Sequence, residues 1–287
     1  MKPFLGIDLT ENKKNEQPNG AEFLACKPSA AMAKSLETSS EKADAAIESA
    51  KLPKPLRIIS FICSIVTLLL VGGIVRASVS IEEGYRNAPA LYWAAGICGI
   101  IWLILWLWGK QKSKAVLQTE ESTQTISHFE GVANAVYAEL AVPAGARDVD
   151  VLSFFYKLKD GQVKVQEKTM QLGQYFNPEF KIFMDSENLY LANLEGKYAF
   201  PRTSFVAIHT VKKHVRIMGW NKQTPINKGI YKQFKLTTDQ YGCVHCKQYH
   251  ILELRHNGQS YGIYIPCYEL PVFEKLTGLQ AQAEQNA

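Results

Sequence analysis

The sequence predicts an α-helical membrane hairpin joined to an α+β soluble domain. Three observations point there: two long uncharged apolar runs in the first half of the chain, clusters of Lys and Arg flanking them, and two-residue alternation from Asp148 onward. Average composition hides the division, since 47% hydrophobic and 21% charged residues over 287 positions describe an ordinary globular protein.

No charged residue occurs in 58–75 or in 87–109. At 1.5 Å rise per residue these runs are about 27 and 34 Å long, matching a hydrocarbon core of about 30 Å. The spans are placed at 58–75 and 88–108, within a hairpin domain of residues 55–110. The first span is short, so Arg57 and Arg76 extend toward the headgroups. Residues 97–108 are apolar around the whole helix circumference, unlike a soluble helix with its polar stripe. A secretory signal is a poor reading of the first run, because a long polar segment precedes it and such signals sit at the very start of a chain.

The net charge is +5, and its placement matters more than its total. Lys51, Lys54 and Arg57 precede the first span and Lys110, Lys112 and Lys114 follow the second. The connecting loop has Arg76 and Arg86 accompanied by Glu82 and Glu83. The positive-inside rule then puts both termini in the cytosol of a two-span protein of the cell membrane. Tyr92 and Trp93 at one end of the second span, and Trp102, Trp106 and Trp108 toward the other, suit an aromatic belt at each interface. Ser60 and Ser64, Ala95 and Gly99, and the Gly72-Gly73 pair leave room for close helix approach. Neither span holds an acidic, basic or His side chain of the kind a proton relay needs. Of six cysteines, Cys63 and Cys98 lie in the spans and the rest face a reducing cytosol, so no disulfide framework is expected.

Residues 1–54 have few large apolar side chains after Phe23 and Leu24 and read as a mostly flexible cytosolic segment that buries little core. Its second half, rich in Ala, Glu and Lys, is compatible with a helix that Pro53 and Pro55 end. Within residues 115–142, Ile126, Phe129, Ala133, Val136 and Leu140 recur at three- and four-residue spacing and predict an amphipathic helix, packed on the soluble domain or on a second copy of the chain. A β-rich domain follows over 148–279, then a tail at 280–287. Strands are expected at 149–158 and 162–166 around an Asp160-Gly161 turn, and at 172–176, 180–184, 188–192, 197–200, 206–217, 231–236, 250–255 and 259–265. Glu195-Gly196 and Asn257-Gly258 supply turns, and residues 270–276 read as a short helix with Pro271 in its first turn and Gly278 as its stop.

This order is a meander of short strands closed by one helix. Residues 180–208 read Phe-Lys-Ile-Phe-Met-Asp-Ser-Glu-Asn-Leu-Tyr-Leu-Ala-Asn-Leu-Glu-Gly-Lys-Tyr-Ala-Phe-Pro-Arg-Thr-Ser-Phe-Val-Ala-Ile, strand, turn, strand ending in Phe-Pro, strand. In this segment and its continuation to 278 the chain resembles bacterial pleckstrin-homology-like domains, carried by membrane proteins with two transmembrane helices directly ahead of the domain. The resemblance implies a PH-like β-barrel or sandwich closed by a C-terminal helix, serving binding or scaffolding. The long N-terminal segment and the hairpin at 149–166 depart from that outline.

The strongest charge signal runs from Gly196 to Thr238, which holds nine Lys and Arg and no Asp or Glu. Beside an anionic cytosolic leaflet each such residue contributes about 1 kcal/mol, and Trp220 with Ile217 and Met218 suits the headgroup layer. Lys212, Lys213, Arg216, Trp220, Lys222 and Lys228 are therefore the candidate contacts for anionic lipid headgroups or a membrane protein partner. Nucleic acid is not expected, because exposed aromatics do not interleave with the charges.

Cys243-Val244-His245-Cys246 with His250 has the spacing of half a zinc site. A structural zinc needs four ligands and no second CxxC exists, so Cys243, Cys246 and His250 form only a weak metal candidate and no cofactor is expected. A zinc or redox module around Cys243 and Cys246 is one alternative function, and an accessory subunit of a larger membrane complex another. The letters Gly258-Gln-Ser260-Tyr-Gly262 match a nucleophile elbow, but the context is a hairpin and no His follows. No acid, base and nucleophile converge, so no catalytic residues and no enzyme activity are expected.

Overall fold

The computed structural model describes residues 1–4, 19–79, 89–152, 155–159, 162–166, 179–217, 220, 222–239 and 243–283. The expected strand at 172–176, the Asp160-Gly161 turn, the loop at 80–88 and Met218 lie outside them. The chain forms two compact units, Ala30–Asn134 and a discontinuous one made of Met1–Ser29 with Ala135–Ala287.

The first unit is helical: α1 (Ala30–Ala50), α2 (Lys54–Val79), α3 (Pro89–Leu117) and residues 120–134 of α4 (Glu120–Glu139). Pro55 and Pro89 lie in first turns, where a missing N–H leaves no bond unmade. Thr119 caps α4, its hydroxyl accepting from the Ser122 N–H at 3.3 Å, and Glu120 and Glu121 complement the dipole of the first turn. Two helices are long and apolar enough to cross a membrane, Lys54–Val75 and Ala90–Leu117. Their outward apolar side chains are bare, with Leu68, Leu69 and Trp93 more than 70% exposed. The hydroxyls of Ser64 and Thr67 donate to the carbonyls of Phe61 and Cys63, so the helices satisfy their own polar groups. Thr67 lies beside Gly99, where an added Cβ would be 3.6 Å from its methyl, so the small residue lets α2 and α3 approach.

The second unit contains two five-stranded sheets. One has the order β2 (Leu24–Cys26), β8 (Gly196–Pro201), β7 (Asn188–Asn193), β6 (Glu179–Met184), β3 (Arg147–Asp150), all antiparallel. The other has the order β1 (Lys2–Pro3), β14 (Gln259–Pro266), β13 (Tyr249–His256), β9 (Phe205–Val211), β15 (Ala281–Ala283), with β1 and β15 running parallel to their neighbours. A three-stranded sheet joins β10 (Val215–Ile217), β12 (Val244–Cys246) and β11 (Thr237–Thr238), and β4 (Phe155–Lys159) pairs with β5 (Gln162–Gln166). Phe180, Leu189, Phe200, Ile208, Leu252 and Ile263 bring both large sheets into one core, closed by Phe273 of α5 (Leu270–Thr277). Asn257 and Gly258, at φ 49° and 75°, turn β13 into β14, and Gly278 at φ 75° ends α5.

The structure corrects the reading of residues 1–54 as a segment that buries little core. Phe4 is fully buried and Phe23 is 4% exposed. The Phe4 ring meets Phe200 edge-on at 4.9 Å and Tyr198 at 5.1 Å, and Phe23 meets Tyr261 at 5.0 Å. β1 and β2 hydrogen-bond to β14 and β8, so the N-terminal strap adds a strand to each large sheet. Close backbone approach makes glycine necessary here: a Cβ on Gly20 would lie 2.7 Å from the Phe4 ring, and one on Gly196 would lie 2.9 Å from Leu24. Their partners in the core lie far along the chain, so the polar average of residues 1–54 did not point to them. The tail at 280–287 is likewise in part a strand, since β15 pairs with β9.

Other boundaries shift for local reasons. The 149–158 strand divides into β3 and β4, and the 206–217 strand into β9 and β10 at the Lys212-Lys213-His214 turn. The region 231–236 is no strand; Gly229–Phe234 forms a 3-10 helix that Lys235 ends at φ 49°. Its alternating apolar residues fit either geometry over so short a run. The expected helix within 115–142 begins only at Glu120, because α3 continues through Lys110, Lys112 and Lys114 to Leu117.

Candidate functional site

The acid-free basic stretch splits by depth. Lys212 and Lys213 are exposed on the turn after β9, and Lys228, Lys232 and Lys235 are exposed around the 3-10 helix Gly229–Phe234. Amid the latter three sits Ile230, a large apolar side chain left 68% exposed. The sequence reading missed Ile230, Lys232 and Lys235 as contacts; the signal available was an apolar residue amid lysines with no acid nearby. Arg216 belongs to β10, opposite His245.

Trp220 is half-buried. Its indole N–H donates to the Thr224 carbonyl at 2.9 Å, and its ring meets Tyr231 and Tyr268 edge-on at 4.7 and 5.3 Å. It packs with the small sheet, which turns it from a headgroup contact into an anchor for the loop.

Lys222 requires a larger correction. Its side chain is only 9% exposed and its Nζ lies 3.0 Å from Glu269 Oε1 and 3.3 Å from Asp150 Oδ1. These are ion contacts rather than aligned hydrogen bonds. The Tyr268 hydroxyl donates to Asp150 Oδ2 at 2.6 Å, and the Asp150 N–H donates to Glu269 Oε1 at 3.1 Å. With two carboxylates and one ammonium, the cluster is neutral when one acid keeps its proton. Burial pushes Glu269 up to about 7, against the opposing pull of the Lys222 charge. Burial works to lower Lys222, but the two carboxylates together outweigh it and leave the ammonium firmly charged. An ammonium held this way is not offered to lipid, and nothing in its sequence neighbourhood distinguishes Lys222 from Lys228.

The cysteine motif is buried, not surface-facing. Cys243, Cys246, His250 and Cys267 are each at most 2% exposed. The Cys246 thiol is hydrogen-bonded with Cys267; that bond and burial both raise Cys246, while the same bond lowers Cys267 against the opposing effect of burial. His250 Nδ1 lies 3.1 Å from the Thr210 hydroxyl, its Nε2 has no partner, and burial pulls the imidazole down to about 4. Among the described residues no three His, Cys, Asp or Glu side chains gather so as to hold a metal ion. On the surface, His214 Nε2 meets His245 Nδ1 at 2.9 Å, and His245 Nε2 meets Asp239 Oδ2 at 3.2 Å. A chain separation of thirty-one residues hides that pair from sequence. Ser260 of the elbow-like motif lies within β14 and donates to Glu253 at 3.3 Å.

No family model, no curated protein and no solved structure matches this chain.

Proposed function

We propose that this chain is a membrane-anchored protein without catalytic activity, both termini cytosolic, whose β-rich unit is a PH-like module that binds anionic lipid headgroups. The observation that carries the reading is the exposed Ile230 among Lys228, Lys232 and Lys235, with Lys212 and Lys213 also exposed. An apolar side chain suits the acyl boundary while lysines at about 1 kcal/mol each meet headgroup phosphates. The two bare apolar helices support the anchor. The strand order supports the PH-like reading: a meander of β3, β6, β7 and β8, then β9, β13 and β14, then a helix.

The test uses the full chain, because the N-terminal strap completes the core of the β-rich unit. Reconstituted in bilayers of phosphatidylcholine with and without phosphatidylglycerol, backbone amides of residues 226–236 are expected to gain hydrogen-exchange protection only with the anionic lipid. The gain should fall as salt rises. Equal protection in both bilayers removes the lipid-binding reading.

A further inference from the structure

A groove of about 510 Å³ opens on the helical unit at the basic end of α2 and α3. That volume lies within the range of small-molecule sites. Its floor is apolar, formed by Phe61, Trp102, Leu105 and Trp106, while Arg57 and Lys110 stand at its rim. Leu105 is 8% exposed, whereas Phe61 is 65% exposed and leaves the groove open on its side. Lys110 Nζ sits 3.9 Å from the centroid of the Trp106 ring, which fixes the ammonium above the apolar floor. Lys51, also at the rim, and Arg57 both bond the single carboxylate of Glu48. Three cations facing one acid leave the rim with positive charge in excess.

We infer that this groove is a binding site for one diacyl phospholipid with a net-negative headgroup, the phosphate held by Arg57 and Lys110 and an acyl chain laid along Phe61, Trp102 and Leu105. The inference rests on the reading that α2 and α3 cross a bilayer, and it concerns a site separate from the basic loop of the β-rich unit. Charge chooses the occupant: a neutral zwitterionic lipid brings its own cation to a rim already rich in them. Arg offers a bidentate fork to phosphate, and Glu48 is the internal competitor for that fork. Displacing Glu48 by phosphate exchanges one anion for another at the same guanidinium.

That competition supplies a test with opposite signs. Full-length protein in detergent is titrated with phosphatidylglycerol or phosphatidylcholine, and bound lipid is counted by native mass spectrometry. One phosphatidylglycerol is expected to bind at least tenfold more tightly than phosphatidylcholine. Arg57→Gln with Lys110→Gln should remove that preference, whereas Glu48→Gln should strengthen phosphatidylglycerol binding several-fold. A merely structural role for the Glu48–Arg57 bond would make both variants behave alike. Equal binding of the two lipids, or a Glu48→Gln variant that binds no better than wild type, overturns the proposal. Alkaline carbonate extraction in parallel reads the anchor itself: release from membranes would refute the bilayer reading, while retention with no lipid preference would refute the groove alone.

Discussion

Glu269 and His250 should cancel one another in the pH dependence of stability, and removing either should expose the other. Both side chains are almost fully buried in the β-rich unit. Glu269 is raised from 4.5 to about 7, so between these values the folded state holds a proton that the unfolded state has released. Its contribution is complete below pH 4.5 and falls by roughly 3 kcal/mol as pH rises to 7. His250 is lowered from 6.5 to about 4, so between those values the unfolded state binds the extra proton. Its contribution is complete above pH 6.5 and falls by roughly 3 kcal/mol as pH drops to 4. The windows overlap from about 4.5 to 6.5 with opposite slopes. Within that overlap the two contributions should therefore cancel to within about 1 kcal/mol. Glu269→Gln should gain stability by a few kcal/mol as pH rises through this range, and His250→Gln should lose a similar amount. Hydrogen exchange of β13 and β14 amides in the full-length protein, corrected for intrinsic rates, gives the opening free energy at each pH. If both variants track wild type within 0.5 kcal/mol, roughly a third of one pKa unit, the burial argument for these two groups is wrong.

Lys222→Met should cost roughly 3–5 kcal/mol in denaturant unfolding, because it leaves Asp150 and Glu269 buried without a cation, and adding Glu269→Gln should recover part of that loss. Phe4→Ala should destabilise the β-rich unit by about 3–5 kcal/mol, read as earlier loss of exchange protection in β8 and β14, while leaving α2 and α3 protected. Gly262→Val should act similarly, since even a Cβ at this position would lie 2.7 Å from Ile251 and 2.8 Å from the Met1 sulfur; a variant as stable as wild type would show that the strap is loosely held. Ile230→Asp should weaken the association of the basic loop with phosphatidylglycerol bilayers by about tenfold without changing the unfolding midpoint, because the side chain is exposed.

The two apolar helices were legible because their signal is long: each run has at least eighteen consecutive residues without charge. The strands β6, β7, β8, β13 and β14 were legible because each is a short run rich in β-branched, aromatic and Leu residues, and turn pairs such as Asn257-Gly258 separate neighbours. Nonlocal features were not legible. Phe4 and Phe23 belong to a core whose other members lie more than a hundred positions away, and no local period marks them. Lys222 reads like its neighbours until Asp150 and Glu269, distant in sequence, are seen to close over it. The 231–236 region misled because an apolar residue at every other or every third position fits a strand and a 3-10 turn alike.

The strap has a consequence for topology that no charge count supplies. Residues 1–29 and 135–287 share one folded core, so the chain that leaves it at Ala30 must come back to the compartment it left. Any bilayer crossings made in between must therefore be even in number. A single crossing would separate Phe4 and Phe23 from the Tyr198, Phe200 and Tyr261 rings against which they pack.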